Sequence, residues 1–302
     1  MMEMYVEGVS TRKVKEVTEE LCGTSFSKSL VSRLAGQLDA ELEAWRGRPL
    51  EAEGYPYLFV DARYEKVRVG SRIVSQGVLV VSGVRRTDGM REILAVEVTD
   101  TESEATYHEL FRALKARGLR GVELVVSDDH EGLKSAAFRH FQGASWQRCR
   151  VHYARNLLGM VGHARRKELA EGLRGIFAAP SREVALGLAS ELAARRRQSH
   201  PRVAEHLEEH IEECLTCLAF PESHRRRIRT TNGLERLNQE IKRRTRVVRI
   251  FPNREACSRL VTALCVEQSE EWLTGRRYLD MRELEERRYE KPEAEGAILV
   301  ER

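Results

Sequence analysis

Asp61 closes the apolar run YLFVDA, Asp128 closes VELVVSD, and Glu235 sits near the start of the basic stretch TTNGLERLNQEIKRRTR. Two acids at strand ends and a distant helical glutamate form a donor set suited to two-metal phosphoryl transfer. Hard divalent ions take a few carboxylates together with phosphate oxygens, and a pair of them can hold both the attacking and the leaving oxygen of an in-line displacement. The chemistry these residues point to is the cutting and joining of DNA strands. Each acid also has an ordinary reading: a turn-opening aspartate at Asp61, a helix cap at Asp128, and a capping box pairing Asn232 with Glu235.

The elements that must position them are legible from pattern. Strand-like runs cover Tyr57 to Ala62, Gly77 to Arg85 and Glu92 to Thr99, the last two joined by the turn-forming pair Asp88 and Gly89. A helix from Ser103 to Arg117, a strand from Val122 to Ser127, a helix from Glu131 to Phe141 and a short strand near Trp146 to Val151 follow. Three strands, helix, strand, helix, strand is the order of a ribonuclease-H-like α/β core, in which the first strand lies beside the fourth and the two aspartates converge. Residues 154 to 220 are helical in pattern, with breaks at Pro180, Pro201 and Pro221, and read as a helical insertion. Leu234, Leu237, Ile241 and Val248 then form the apolar stripe of the helix carrying Glu235, which ends at Phe251 and Pro252.

Ahead of the core, Ser10 caps a helix over Thr11 to Leu21, and a second runs from Ser25 or Ser27 to Trp45. Helix, glycine-containing turn and helix form a helix-turn-helix, with Lys28, Ser29 and Arg33 placed to meet a major groove. The organisation expected is residues 1–50 for that region, 51–153 for the first part of the core, 154–229 for the insertion, 230–275 for the end of the core and 276–302 for a charged tail.

The net charge of the 302-residue chain is only +4, but its distribution is informative. Between His224 and Arg249 ten lysines and arginines stand against two acids, Glu235 and Glu240, a focused field suited to a phosphate backbone. Lys242, Arg243, Arg244, Arg246 and Arg249 are the candidate phosphate contacts. No run approaches the roughly 20 apolar residues of a membrane span and no secretory start is present, so a cytoplasmic protein is expected. Six scattered cysteines suit reduced thiols better than a disulfide framework. Cys149 and His152, three apart, are half of a zinc site that Cys214 and Cys217 would complete; otherwise they support the core or contact DNA, with Trp146 as a stacking platform or a core residue.

YLFVDARYEKVR, VVSDDHEGLKSA, WQRCRVHYARNLL and RTTNGLERLNQEIKRRTRVVRIFPN together resemble the Mutator-type bacterial insertion-sequence transposases, over nearly the whole chain. The resemblance implies a DDE recombinase in which Asp61, Asp128 and Glu235 bind Mg²⁺, with Mn²⁺ able to substitute, while Cys149, His152 and Asn232 belong to supporting motifs. Where the family has Asp-Gly, this chain has Asp128 and Asp129; Asp128 is taken by its place in the motif, with Asp129 as the alternative. The implied partners are DNA, as terminal inverted repeats and target, and a second copy of the chain in a homodimer at the bacterial nucleoid. Family members commonly carry a longer region before the helix-turn-helix. The rival readings are a truncated, catalytically silent DNA-binding derivative and a stand-alone nuclease of the same fold.

Overall fold

The computed structural model describes residues 28–50 and 54–290, with the side chains of 28–37 and 288–290 outside the description. The expected first helix at Thr11 to Leu21 and the side chains of Lys28, Ser29 and Arg33 therefore lie outside the described residues. Helix α1 spans Lys28–Gly47. Its C-terminal half packs on a later helix through buried Leu42, Trp45 and a two-bonded ion pair of Asp39 with Arg259 at 2.6 and 2.7 Å.

Five strands form one sheet: β1 Tyr57–Val69, β2 Arg72–Val84, β3 Arg91–Thr99, β4 Leu124–Ser127 and β5 Ser145–Arg148. Their order is β3-β2-β1-β4-β5, so the first strand lies beside the fourth as expected. The β1–β2 and β2–β3 pairs are antiparallel, and the β1–β4 and β4–β5 pairs are parallel. Gly89 closes the β2–β3 hairpin at φ 71°, where a side chain would be strained and would collide with the Leu279 carbonyl.

The first two strands are longer than their apolar runs. Arg63 to Val69 pairs with Arg72 to Val78 in an outer half of the hairpin whose residues are largely polar and exposed, which is why apolar pattern alone stops at Ala62. Asp61 consequently lies inside β1, opposite Val80, rather than at its tip.

Alternation along the strands divides the apolar residues between two cores. Leu58, Val60 and Val125 meet α2 (Glu104–Ala116) and α3 (Glu131–His140) on one face. Tyr57, Phe59, Leu124 and Val126 meet α9 (Asn232–Thr245) and α10 (Arg254–Thr274) on the other. A third core contains no sheet residue; it joins α4 (Arg150–Gly159), α5 (His163–Ala178), α6 (Arg182–Arg196) and α7 (Pro201–His210) through Tyr153, Leu173, Leu192 and Leu207. Two short 3₁₀ turns and α8 (Glu222–Ile228) lead back to α9, and α11 (Arg282–Glu290) follows α10. No helix among the described residues is long and apolar enough to cross a membrane.

Two boundaries differ from the sequence expectation. The last strand stops at Arg148, and Cys149 caps α4, so the Cys149 and His152 pair opens a helix. Helix α9 stops at Thr245; the chain then turns through Arg249, at φ 60°, and Phe251 bridges to Val67 of β1.

Candidate active site

The parallel pairing of β1 with β4 sets two of the three acids. Phe59 is level with Val126, and continuing that register two residues brings Asp61 level with Asp128 on the same face of the sheet. This is the face covered by α9. Asp129, one residue further, is of opposite parity, and its carboxylate pairs with the buried Arg148 at 2.6 Å. Of the two adjacent aspartates, Asp128 is the one beside Asp61.

Burial dominates both carboxylates. Asp61 is 6% exposed and is pushed up to about 6, chiefly by desolvation; the charge of Asp128 adds to the rise, while His152 and a hydrogen bond from Asn238 oppose it. Asp128 is also raised, again first by burial, with His152 opposing and Glu102 reinforcing. Asn238 Nδ2 donates to Asp61 Oδ2 at 2.7 Å, and Arg63 holds the Asn238 carbonyl.

Glu235 arrives on the first turns of α9, whose apolar residues Leu234, Leu237 and Ile241 fix its rotation against the sheet. The capping-box reading fails: the cap is Thr231, Asn232 is already helical and exposed, and no side chain caps the end. Thr231 O accepts instead from the Leu234 and Glu235 amides. The Glu235 carboxylate is held by His152 Nε2 and an Arg155 guanidinium nitrogen, each 3.2 Å from its Oε1.

Cys149 and His152 are brought to the same place. The Cys149 sulfur is fully buried and accepts from the Thr231 amide and hydroxyl at 3.4 Å. Burial pushes its thiol up, but His152 and Thr231 together outweigh this and leave it lowered. His152 Nδ1 meets no partner at hydrogen-bonding geometry. The neighbouring Cys149 sulfur nevertheless favours a proton on the ring and raises it to about 9, with the charges of Asp61 and Glu235 adding and burial opposing. These neighbours favour the protonated ring, placed among the acids.

The residues test unevenly as a metal site. Asp61 and Asp128 fit a hard divalent ion: a buried and a half-buried carboxylate at one level, and the raised Asp61 lacks enough compensating positive charge. Among the described residues, however, no three of His, Cys, Asp and Glu stand close enough to complete a ligand set. Glu235 is turned to His152 and Arg155 and is not in the group.

The same observation removes the zinc reading. Cys214 and Cys217 lie on the 3₁₀ turns, fully buried, and Cys217 Sγ accepts from Arg150 at 3.1 Å. They are core thiols raised by burial. Trp146 is likewise a core residue, its ring packed beneath α3 and its Nε1 donating to Ser127, so it offers no stacking platform.

The expected phosphate contacts divide. Lys242, Arg246 and Arg249 are exposed. Arg243 is also exposed and bound through two hydrogen bonds to Glu240. Arg244 points inward, 8% exposed, and binds Glu240 and Glu267; it is a structural ion pair and not a DNA contact. Spacing along the Glu235 helix puts Asn238 or Gln239 on the face of Glu235, and it is Asn238 that meets Asp61; Arg155 was not singled out, although it lies three residues from His152 on a shared helix face.

A mixed five-stranded sheet with a buried and a half-buried carboxylate, Asp61 and Asp128, at the end of its parallel pair, joined to a separate helical body, defines an α/β protein with an acidic site between its layers. Residues 1–275 match the family described as Transposase, Mutator family. The chain is 46% identical over 286 residues to the transposase for insertion sequence element ISRM5 of Rhizobium meliloti, covering 95% of this chain and 71% of that protein. It is 46% identical to the IS406 transposase of Burkholderia multivorans (93% and 72% covered) and 39% identical to the IS256 transposase of transposon Tn4001 from Staphylococcus aureus (93% and 72%). The Drosophila P element transposase strand transfer complex aligns at a TM-score of 0.34 and 11% identity over 90% of this chain and 79% of that one, too slight a likeness to bear on the fold. The chain belongs to the Mutator family of transposases.

Proposed function

We propose that this transposase cuts DNA at element ends and joins the freed 3′-hydroxyl to target DNA, using Asp61, Asp128 and Glu235 as a DDE set within a ribonuclease-H-like core. The observation that carries the reading is the level placement of Asp61 and Asp128 on the sheet face covered by the helix bearing Glu235. Asp61 and Asp128 would hold a divalent ion, Mg²⁺ or Mn²⁺, and Glu235 would join on leaving His152 and Arg155. Such an ion supplies Lewis-acid charge at the phosphorus and lowers the pKa of a bound water. Asn238 fixes the rotamer of Asp61, and the exposed Lys242, Arg246 and Arg249 hold backbone phosphates. Helix α1 and the residues before it would read the terminal repeats as a helix-turn-helix. Two ends handled together require at least a homodimer.

Incubating the purified chain with element-end DNA and Mg²⁺, alongside Asp61→Asn and Glu235→Gln, tests this. Wild type is expected to give cut and joined products, and both variants are expected to lose them by at least a hundredfold. Cut ends without joined products would leave a nuclease of the same site. A second reading, a silent DNA-binding derivative, is favoured by the ion pairs that hold Glu235 away from the aspartates; binding of end DNA without cleavage in either metal would select it.

A further inference from the structure

Beside the acids, on the far side of Arg155, a cleft of about 1280 Å³ opens between α4 and α5, the segment from α8 into α9, and α10. Nine arginines line it and no carboxylate does. Arg226, Arg227, Arg229 and Arg236 come from the basic stretch that sequence reading assigned as one patch; the structure turns them into this cleft and leaves Lys242, Arg246 and Arg249 elsewhere. Arg226 and Arg236 are exposed and make no ion pair among the described residues. Arg155 is paired with Glu235 and Arg174 with Glu171, yet nine arginines remain gathered round one opening, and a cleft lined by one sign of charge focuses field on an anion.

The cleft is more than a charged surface. Arg91 lies 3.4 Å from the centroid of the Trp272 ring and 4.6 Å from that of Tyr278, so its guanidinium is held flat at the wall, and its buried Nε has no partner. Ala154, Leu158 and Phe177 interleave apolar surface with the arginines. Its volume exceeds the roughly 300 to 1,000 Å³ of small-ligand pockets. A duplex keeps its base faces stacked inside and presents only phosphates, sugars and groove edges; an unpaired strand offers phosphates and base faces together.

We infer that this cleft binds a few nucleotides of unpaired DNA, the strand leading to or from the bond held at the acids. Arg155 belongs to both places, lining the cleft and pairing with Glu235, so a phosphate drawing Arg155 away removes one of the two partners that hold Glu235, leaving His152 as the other. The inference rests on the reading of the chain as a DNA-cutting enzyme for its biological meaning, but not for its test.

The test is fluorescence anisotropy of the full chain in EDTA, where no cleavage occurs, with a labelled ten-nucleotide oligothymidylate and with a duplex of the same length. Wild type is expected to bind the single strand more tightly than the duplex. The double variant Arg226→Ala/Arg236→Ala is expected to weaken single-strand binding at least tenfold and to flatten the slope of log K against log salt by about 1.4, at about 0.7 per lost phosphate contact. Arg195→Ala, an exposed arginine on α6 away from the cleft, controls for net charge and is expected to leave binding unchanged. Equal binding by wild type and the double variant, a loss as large in the control, or a wild-type preference for the duplex overturns the inference. Failure of the cut-and-join assay with retained single-strand binding would overturn the reaction and leave the cleft assigned.

Discussion

Asn238 on α9 donates to Asp61 on β1 at 2.7 Å, across 177 residues of sequence. The bond ties the helix carrying one acid to the strand carrying another. Asn238→Ala is expected to cost about 1–3 kcal/mol at pH 8, where the acceptor is a buried carboxylate, and less at pH 5, where the protonated acid makes a weaker bond. Urea unfolding at the two pH values measures it; an equal loss at both would place the effect in packing rather than in this bond.

Asp61 itself sets a pH dependence of stability. Its folded value of about 6 stands above the ordinary 3.8, so the folded chain keeps a proton that the unfolded chain releases. The stability linked to that proton is whole below about 3.8 and drains as pH rises through 6, amounting to on the order of 2–3 kcal/mol. Asp61→Asn cannot ionise. In metal-free buffer it is expected to gain on wild type as pH rises, reaching a plateau above about 7; a difference flat from pH 4 to 8 would contradict this.

Arg155 competes for Glu235. If the three acids form one metal site, Arg155→Ala is expected to tighten Mn²⁺ binding several-fold by calorimetry, and Glu235→Gln to weaken it. Unchanged affinity in both variants would leave the metal to the two aspartates alone.

Neighbouring basic residues on α9 are expected to behave oppositely. Arg244→Ala removes a buried partner of Glu240 and Glu267 and is expected to cost about 1–3 kcal/mol of stability while leaving the salt slope of DNA binding intact. Lys242→Ala is expected to leave stability within about 0.5 kcal/mol and to reduce the slope by about 0.9 on duplex DNA.

The strand and helix order was legible because apolar runs and turn residues mark it, and the Asp88 and Gly89 hairpin formed where its turn chemistry placed it. The outer half of the β1–β2 hairpin was not, since residues such as Arg63, Lys66 and Arg68 pair through backbone alone and carry no apolar signal. Helical period located the buried stripe of Leu234, Leu237 and Ile241, whereas Arg244, taken as a phosphate contact from its charge, turns inward because an arginine paired to two glutamates can be buried against composition. The adjacent aspartates stayed ambiguous in sequence and were separated by strand register and by Arg148. The arginine cleft was invisible as a unit: Arg91 and Arg236 are 145 positions apart, and they share it because the Arg91 side chain reaches the start of α9 at Gly233 while α10 packs against β3.

The distance along the chain between Asp61 and Asn238 also has a meaning in time. A ribosome adding about 5–20 residues per second needs on the order of 10 to 35 seconds to travel the 177 residues between them. Throughout that interval the sheet face bearing Asp61 lacks α9 and α10, the helices that cover it. A nascent chain therefore has its strands, Asp61 and Asp128 long before the helices that cover them, and α9 and α10 on emerging both close the core and bring Glu235 to that face.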